Sequence, residues 1–172
     1  MPQNIEIKAR VPDPDRLHQL AAALTNQPPV VLRQVDTFFS VAHGWLKLRT
    51  FTPLQGELIS YVREPGRDPR SSLYHISPTP DPEGLHRVLS AVLPIRGVVR
   101  KVRTLYRVGQ TRIHVDRVED LGDFMELEVV LTERQSKAEG QAIAHHLMVS
   151  LDVAPECSLS ETYLELLESR RV

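Results

Sequence analysis

The stretch "TRIHVDRVEDLGDFMELEVV" (111–130) decides how the rest of the chain is read. On either side of "EDLGD" (119–123) the residues alternate with a period of two, the mark of β-strands whose successive side chains point to opposite faces. In the first half Arg112, His114 and Asp116 share a face. In the second half Phe124, Glu126 and Glu128 share one, with Met125, Leu127 and Val129 behind them. Two such runs joined by a short glycine-containing turn predict an antiparallel pair. One face of the pair is apolar and the other carries both signs of charge. The fold depends on which of them looks into an enclosed space.

The same alternation recurs along the chain. "NIEIKAR" (4–10) sets Asn4, Glu6, Lys8 and Arg10 against Ile5, Ile7 and Ala9. "WLKLRTF" (45–51) puts Lys47 and Arg49 together, and "ELISYVRE" (57–64) does so with Ile59, Tyr61 and Arg63. In "VRKVRTLYR" (99–107), Val99, Lys101, Arg103 and Arg107 align. Strands are predicted at 4–10, 30–39, 45–52, 56–64, 71–78, 97–109, 111–118 and 123–132. Helices are marked by their caps: Asp13 with Pro14, Asp81 with Pro82, and the capping box of Ser136 and Glu139. A last amphipathic helix is read in "SLSETYLELLESRR" (158–171), with Ser158 and Ser160 better explained as its caps than as nucleophiles.

The bulk properties exclude several classes. At 172 residues the chain is most simply one domain, 1–172, with a core that needs no staples. No apolar run approaches a membrane span, and no signal layout opens the chain, so a cytoplasmic protein is expected. The single cysteine, Cys157, excludes an internal disulfide and a thiolate cluster. The net charge of −1 predicts no polyanion partner, and Trp45 and Tyr61 are too sparse among basic residues for a nucleic-acid surface. His145 and His146, adjacent on a helix, point about 100° apart and make no metal pair. Gly44, Gly56 and Gly66 are isolated turn glycines, so there is no phosphate-binding loop.

Any one charged strand face is ordinarily a solvated one. Several such faces in doublets of like charge are less ordinary, because like charges on neighbouring positions of one face repel. Lys47 with Arg49, and Lys101 with Arg103, make sense if an anion sits between them. The economical arrangement closes the strands into an eight-stranded antiparallel barrel with the charged faces inward and helices on the apolar outside, an α+β fold. A barrel of that size can hold one small ligand. Basic side chains neutralise phosphate oxygens, and carboxylates take hard divalent cations.

Those residues resemble the CYTH superfamily, the triphosphate tunnel metalloenzymes, which includes class IV adenylate cyclases, thiamine triphosphatases and tripolyphosphatases. Its Glu-x-Glu-x-Lys signature falls on Asn4, Glu6 and Lys8. "QVDTFF" (34–39), "LKLR" (46–49), "LISYVREPG" (58–66) and "VVRKVR" (98–103) are similar to its later segments, in order. "IHVDRVEDLGDFMELEV" (113–129) and "TYLELL" (162–167) follow its closing ones. The resemblance implies that Glu6, Asp116, Glu126 and Glu128 are catalytic and hold Mg²⁺ or Mn²⁺. It implies that Lys8, Arg10, Lys47, Arg49, Arg63, Lys101 and Arg103 grip a small-molecule triphosphate. Neither nucleic acid nor membrane is implied as a partner, and a homodimer is left open.

Asn4 departs from the pattern, since an amide oxygen is a weaker cation ligand than the family carboxylate. Metal-dependent triphosphate hydrolysis is the leading expectation, because Glu126 and Glu128 are both present. The alternatives are cyclisation of ATP to cyclic AMP and pyrophosphate, and binding without turnover. Replacing Glu126 or Glu128 by Gln is expected to abolish turnover and spare folding.

Overall fold

The computed structural model describes residues 3–171. Its strands are β1 (Gln3–Arg10), β2 (Val30–Phe39), β3 (Trp45–Thr52), β4 (Gln55–Arg63), β5 (Arg70–Thr79), β6 (Ile95–Val108), β7 (Thr111–Val118), β8 (Gly122–Val130) and the two-residue β9 (Ser158–Leu159). The helices are α1 (Pro14–Ala23), α2 (Pro82–Val92), α3 (Lys137–Ser150) and α4 (Tyr163–Arg170).

The pairing order β5-β4-β3-β2-β6-β7-β8-β1 is closed by a further pairing of β1 with β5. That last ladder runs antiparallel from Gln3 opposite Leu73 to Glu6 opposite Arg70. The result is a closed eight-stranded antiparallel barrel, with β9 added along β1 beside Lys8 and Ala9. Closure removes the exposed edges that an open sheet would present. The hairpin of residues 111–130 forms as its pattern predicts, with His114 opposite Glu126 and Arg112 opposite Glu128. Its turn takes Asp120 and Gly122 into positive φ, at +64° and +101°.

The apolar faces of β1, β7 and β8 point outward and are covered. Ile7, Ile113, Val115, Met125 and Leu127 pack under Leu17 and Ala21 of α1 and Leu147 and Met148 of α3. The barrel is thus inverted relative to a small packed one: its hydrophobic burial lies between strands and helices, and its interior is polar. One region of the interior is nevertheless apolar, where Phe38, Val99 and Phe124 meet Tyr163 and Leu164 of α4.

The helix starts at Asp13, Asp81 and Ser136 are capped as their sequences imply, each side chain accepting from a backbone N–H three residues on. The last helix differs from its expected form. Ser158 and Leu159 are extended, and the cap of α4 is Thr162. Thr162 accepts from the Glu165 N–H, while Glu165 accepts from the Thr162 N–H at 2.7 Å. Ser160 caps nothing; its N–H and hydroxyl donate to Glu161. The reciprocal Thr-x-x-Glu box satisfies two terminal donors of α4 at once. Among the described residues no helix is long and apolar enough to cross a membrane.

Candidate functional site

The inward faces enclose a cavity of about 300 Å³. Glu6, Lys8, Lys47, Arg49, Arg63, Lys101, Arg103, Glu126 and Glu128 all line it. They come from five strands, so only barrel closure brings them together.

One wall is built on Asp36, in the middle of β2 and only 1% exposed. Lys47 and Lys101 each donate to its Oδ2 at 3.1 Å. Arg49 forks onto both oxygens at 2.8 Å. Register explains the convergence, since β2 sits between β3 and β6, with Asp36 opposite Arg49 on one side and Val99 on the other. Burial pushes the Asp36 carboxyl up, but Arg49, Lys101 and Lys47 outweigh it and hold the group well below the usual range. Burial, reinforced by Arg103, Arg49 and Lys47, pushes the Lys101 ammonium down to about 7 against the pull of Asp36. One carboxylate therefore holds three cations, and the excess positive charge faces the cavity.

A second network ties Arg103 to the acidic side. Its guanidinium grips Asp116 bidentately at 2.7 and 2.6 Å and reaches Glu126 Oε2 at 2.5 Å. The Tyr163 hydroxyl donates to Asp116 Oδ2 at 2.8 Å. Lys8 completes the group, 3.1 Å from Glu126 Oε1 and over the Tyr163 ring at 3.8 Å from its centroid. Burial raises the Glu126 carboxyl, but Lys8 and Arg103 dominate and hold it well below the ordinary range. Glu128 pairs with Arg112 at 2.9 Å. Burial raises the Glu6 carboxyl; Arg63 opposes that, while Glu128 and Glu126 add to it.

The structure separates two residues from the expected set. Asp116 is fully buried and does not line the cavity. Its oxygens are taken by Arg103 and Tyr163, so it stands behind Arg103 rather than among the cavity carboxylates. Arg10 is exposed, lies over the Phe124 ring at 5.1 Å and lines a separate cleft beside α1. It is the last residue of β1, opposite Phe124 in register, where apolar packing ends the polar interior. Glu6 lines the cavity but faces Arg63 and Arg70, at 3.7 and 3.6 Å, and is not in the compact donor cluster described next.

That cluster is His114, Glu126 and Glu128, whose ligand atoms lie within 4.8 Å of one another. His114 Nδ1 is buried without a hydrogen-bond partner, 3.8 Å from Glu126 and 4.0 Å from Glu128. Those separations are too long for hydrogen bonds. Burial, with Arg103 adding, pushes the His114 imidazole down. Two carboxylates and an unpartnered ring nitrogen converging on one point fit a divalent cation. Sequence reasoning aligned His114 with Arg112 and Asp116 but gave it no role; its one signal was the inward parity it shares with Glu126 across the hairpin. It also passed over Asp36, Arg70 and Tyr163. Asp36 carried one signal, as the single acid of β2, and its basic neighbours follow only from the strand order.

Comparison with known proteins agrees with this architecture. The PH1012 protein of Pyrococcus horikoshii OT3 superposes with a TM-score of 0.84 at 23% identity, covering 95% of this chain and 98% of that one. A protein from Vibrio parahaemolyticus described as a candidate adenylate cyclase gives 0.76 at 18%, over 96% and 97%. HpAC1 from Hippeastrum, a candidate adenylyl cyclase described as having a dominant triphosphatase activity, gives 0.67 at 17%, over 100% and 97%. At these identities the likenesses speak for the fold alone. A search of curated protein sequences gives no match. The profile of the CYTH domain matches residues 2–163. The chain belongs to the CYTH domain family.

Proposed function

We propose that this chain is a divalent-metal-dependent phosphohydrolase acting on small molecules that carry a triphosphate. The observation that supports it is the opposition, within one cavity, of the Asp36-centred basic wall and the His114, Glu126 and Glu128 cluster. Lys47, Arg49 and Lys101 hold excess positive charge beside a single counter-ion, so a polyanion replaces their missing partners. Arg103 spans the two sides and is held in one orientation by Asp116, which is the fixed geometry that stabilising an equatorial phosphate oxygen requires. Arg63 reaches into the cavity from the far strand while donating to the Ser160 carbonyl at 3.1 Å. Glu126 and Glu128, with His114, would hold the cation. Bound Mg²⁺ or Mn²⁺ supplies charge neutralisation at phosphate oxygens and a water of lowered pKa.

Cyclisation of ATP is the second reading, and one feature favours it. Leu32, Ile59, Ile76 and Leu105 also line the cavity, an apolar surface that suits a nucleobase better than inorganic tripolyphosphate. Product analysis with Mg²⁺ and with Mn²⁺ separates the readings. Orthophosphate from tripolyphosphate, thiamine triphosphate or a nucleoside triphosphate is the expected result. Cyclic AMP with pyrophosphate from ATP replaces hydrolysis by cyclisation. Binding without any product under either metal overturns both.

A further inference from the structure

We propose that His114 is a nitrogen ligand that makes the Glu126 and Glu128 pair a mixed-donor site, selecting a first-row transition dication such as Mn²⁺ over Mg²⁺. This rests on the reading of the cavity as a metal-dependent site and names the class of cation it takes.

Three observations carry it. The first is convergence: one donor atom from each of His114, Glu126 and Glu128 falls within 4.8 Å of the others, whereas Glu6 lies outside the group against Arg63 and Arg70. The second is the orphaned nitrogen. His114 is 4% exposed and its Nδ1 has no hydrogen-bond partner. Leaving a buried polar nitrogen unpaired carries a desolvation cost that a ligand removes. The third is placement. His114 sits directly opposite Glu126 in the β7–β8 ladder, with Arg112 and Glu128 the next inward pair. All three donors therefore stand on paired strands, which hold a site more precisely than loops do.

The donor set then decides the metal. Mg²⁺ demands oxygen ligands in near-ideal octahedral geometry, and an imidazole in its shell is a poor exchange for water. Transition dications accept nitrogen, and their affinity for a mixed nitrogen and oxygen site rises along the first row from Mn²⁺. Asn4 works in the same direction. With an amide where the family signature has a carboxylate, hard anionic oxygen is scarcer in the cavity, and the relative weight of the nitrogen donor increases.

The test uses Mn²⁺ and Mg²⁺ as probes with the full chain and no substrate. Titration calorimetry is expected to give Mn²⁺ at least roughly tenfold tighter binding than Mg²⁺, a preference that His114→Gln removes while leaving Mg²⁺ affinity within about twofold. Electron spin-echo envelope modulation of bound Mn²⁺ is expected to show directly coordinated nitrogen in the wild type and none in His114→Gln. Circular dichroism melts of both proteins report whether the variant folds, and His114→Asn repeats the comparison if it does not. Bound Mn²⁺ without nitrogen modulation, or equal losses for both metals on substitution, overturns the role of His114 and leaves the proposed hydrolase intact. If neither cation binds the wild type, the metal-dependent reading falls with it.

Discussion

Lys101 Nζ lies 3.1 Å from Asp36 Oδ2, and both side chains are almost completely buried. The same oxygen also accepts from Lys47, and Arg49 forks across the carboxylate. Asp36 is thus the keystone of the basic wall, a lone acid that makes a triple concentration of buried positive charge tolerable. Removing one partner of a buried ion pair costs about 3–5 kcal/mol, because the charge left behind is uncompensated. Asp36→Asn is expected to destabilise the chain by about that amount in urea unfolding. Added tripolyphosphate should restore much of the loss, since an anion that binds only the folded barrel stabilises it by mass action. A small loss, or no rescue by the anion, would show that the wall does not depend on Asp36.

The depressed Lys101 gives a pH dependence whose sign can be worked out. Its folded value of about 7 lies below the ordinary 10.5. Between those values the unfolded chain keeps a proton that the folded chain has lost, so this group's cost to the folded state shrinks as pH rises through the window. Binding of a polyphosphate runs the other way, because it favours the charged ammonium. Affinity for tripolyphosphate should therefore weaken as pH climbs above about 7, with proton uptake on binding that approaches one per site near about pH 8.5. Calorimetry in buffers of different ionisation enthalpy measures that uptake directly. Lys101→Met should reduce it to what the other depressed cavity lysines, Lys8 and Lys47, supply.

Glu126 and Glu128, which the sequence treats as equivalent, are not equivalent in the barrel. Glu126 is counter-ion to both Lys8 and Arg103, whereas Glu128 pairs with the part-exposed Arg112. Both Gln variants should lose at least about 100-fold in turnover, since losing a metal ligand forfeits several kcal/mol of transition-state stabilisation. Their stabilities should divide. Glu126→Gln strands the buried Lys8 and takes one of two carboxylates from Arg103, and is expected to cost about 3 kcal/mol, while Glu128→Gln stays within about 1 kcal/mol. A variant that loses turnover and keeps its stability is therefore expected only at Glu128. Activity and melting temperature measured on the same preparations check both halves.

Much of this site was legible in parity alone. Alternation assigns the inward face of six of the strands, and the doublets Lys47 with Arg49 and Lys101 with Arg103 mark that face as one an anion would suit. Parity does not say who pairs with whom. Strand order does, and β2 lying between β3 and β6 is a non-local fact that turns Asp36 from one more polar residue into the centre of the wall. Asp116 illustrates the converse: it has the motif and the parity of a ligand, yet Tyr163, some 47 residues away, fills the space beside it and takes one of its oxygens. Arg10 lies apart from the cavity for a simpler reason. Parity continues to the end of a strand, whereas the polar interior stops where Phe124 meets α4.

Asn4 offers the sharpest test of how the acidic side sets metal number. It lies inward on β1, 4% exposed, two residues before Glu6 and opposite Ser72 of β5, and its Oδ1 has no hydrogen-bond partner. A carboxylate there would share a face with Glu6, whose own carboxyl is already pushed up by burial. Two like charges so placed repel, and the repulsion is relieved by a cation between them. Asn4→Glu should therefore lower the melting temperature of the metal-free protein, recover it on addition of Mn²⁺, and bind a second equivalent of the ion in calorimetry. Recovery without a second equivalent would mean that the new carboxylate joins the Glu126 and Glu128 site. A lower melting temperature that Mn²⁺ leaves unchanged would mark position 4 as a packing position, with the amide chosen because a buried neutral group costs less there than a charged one.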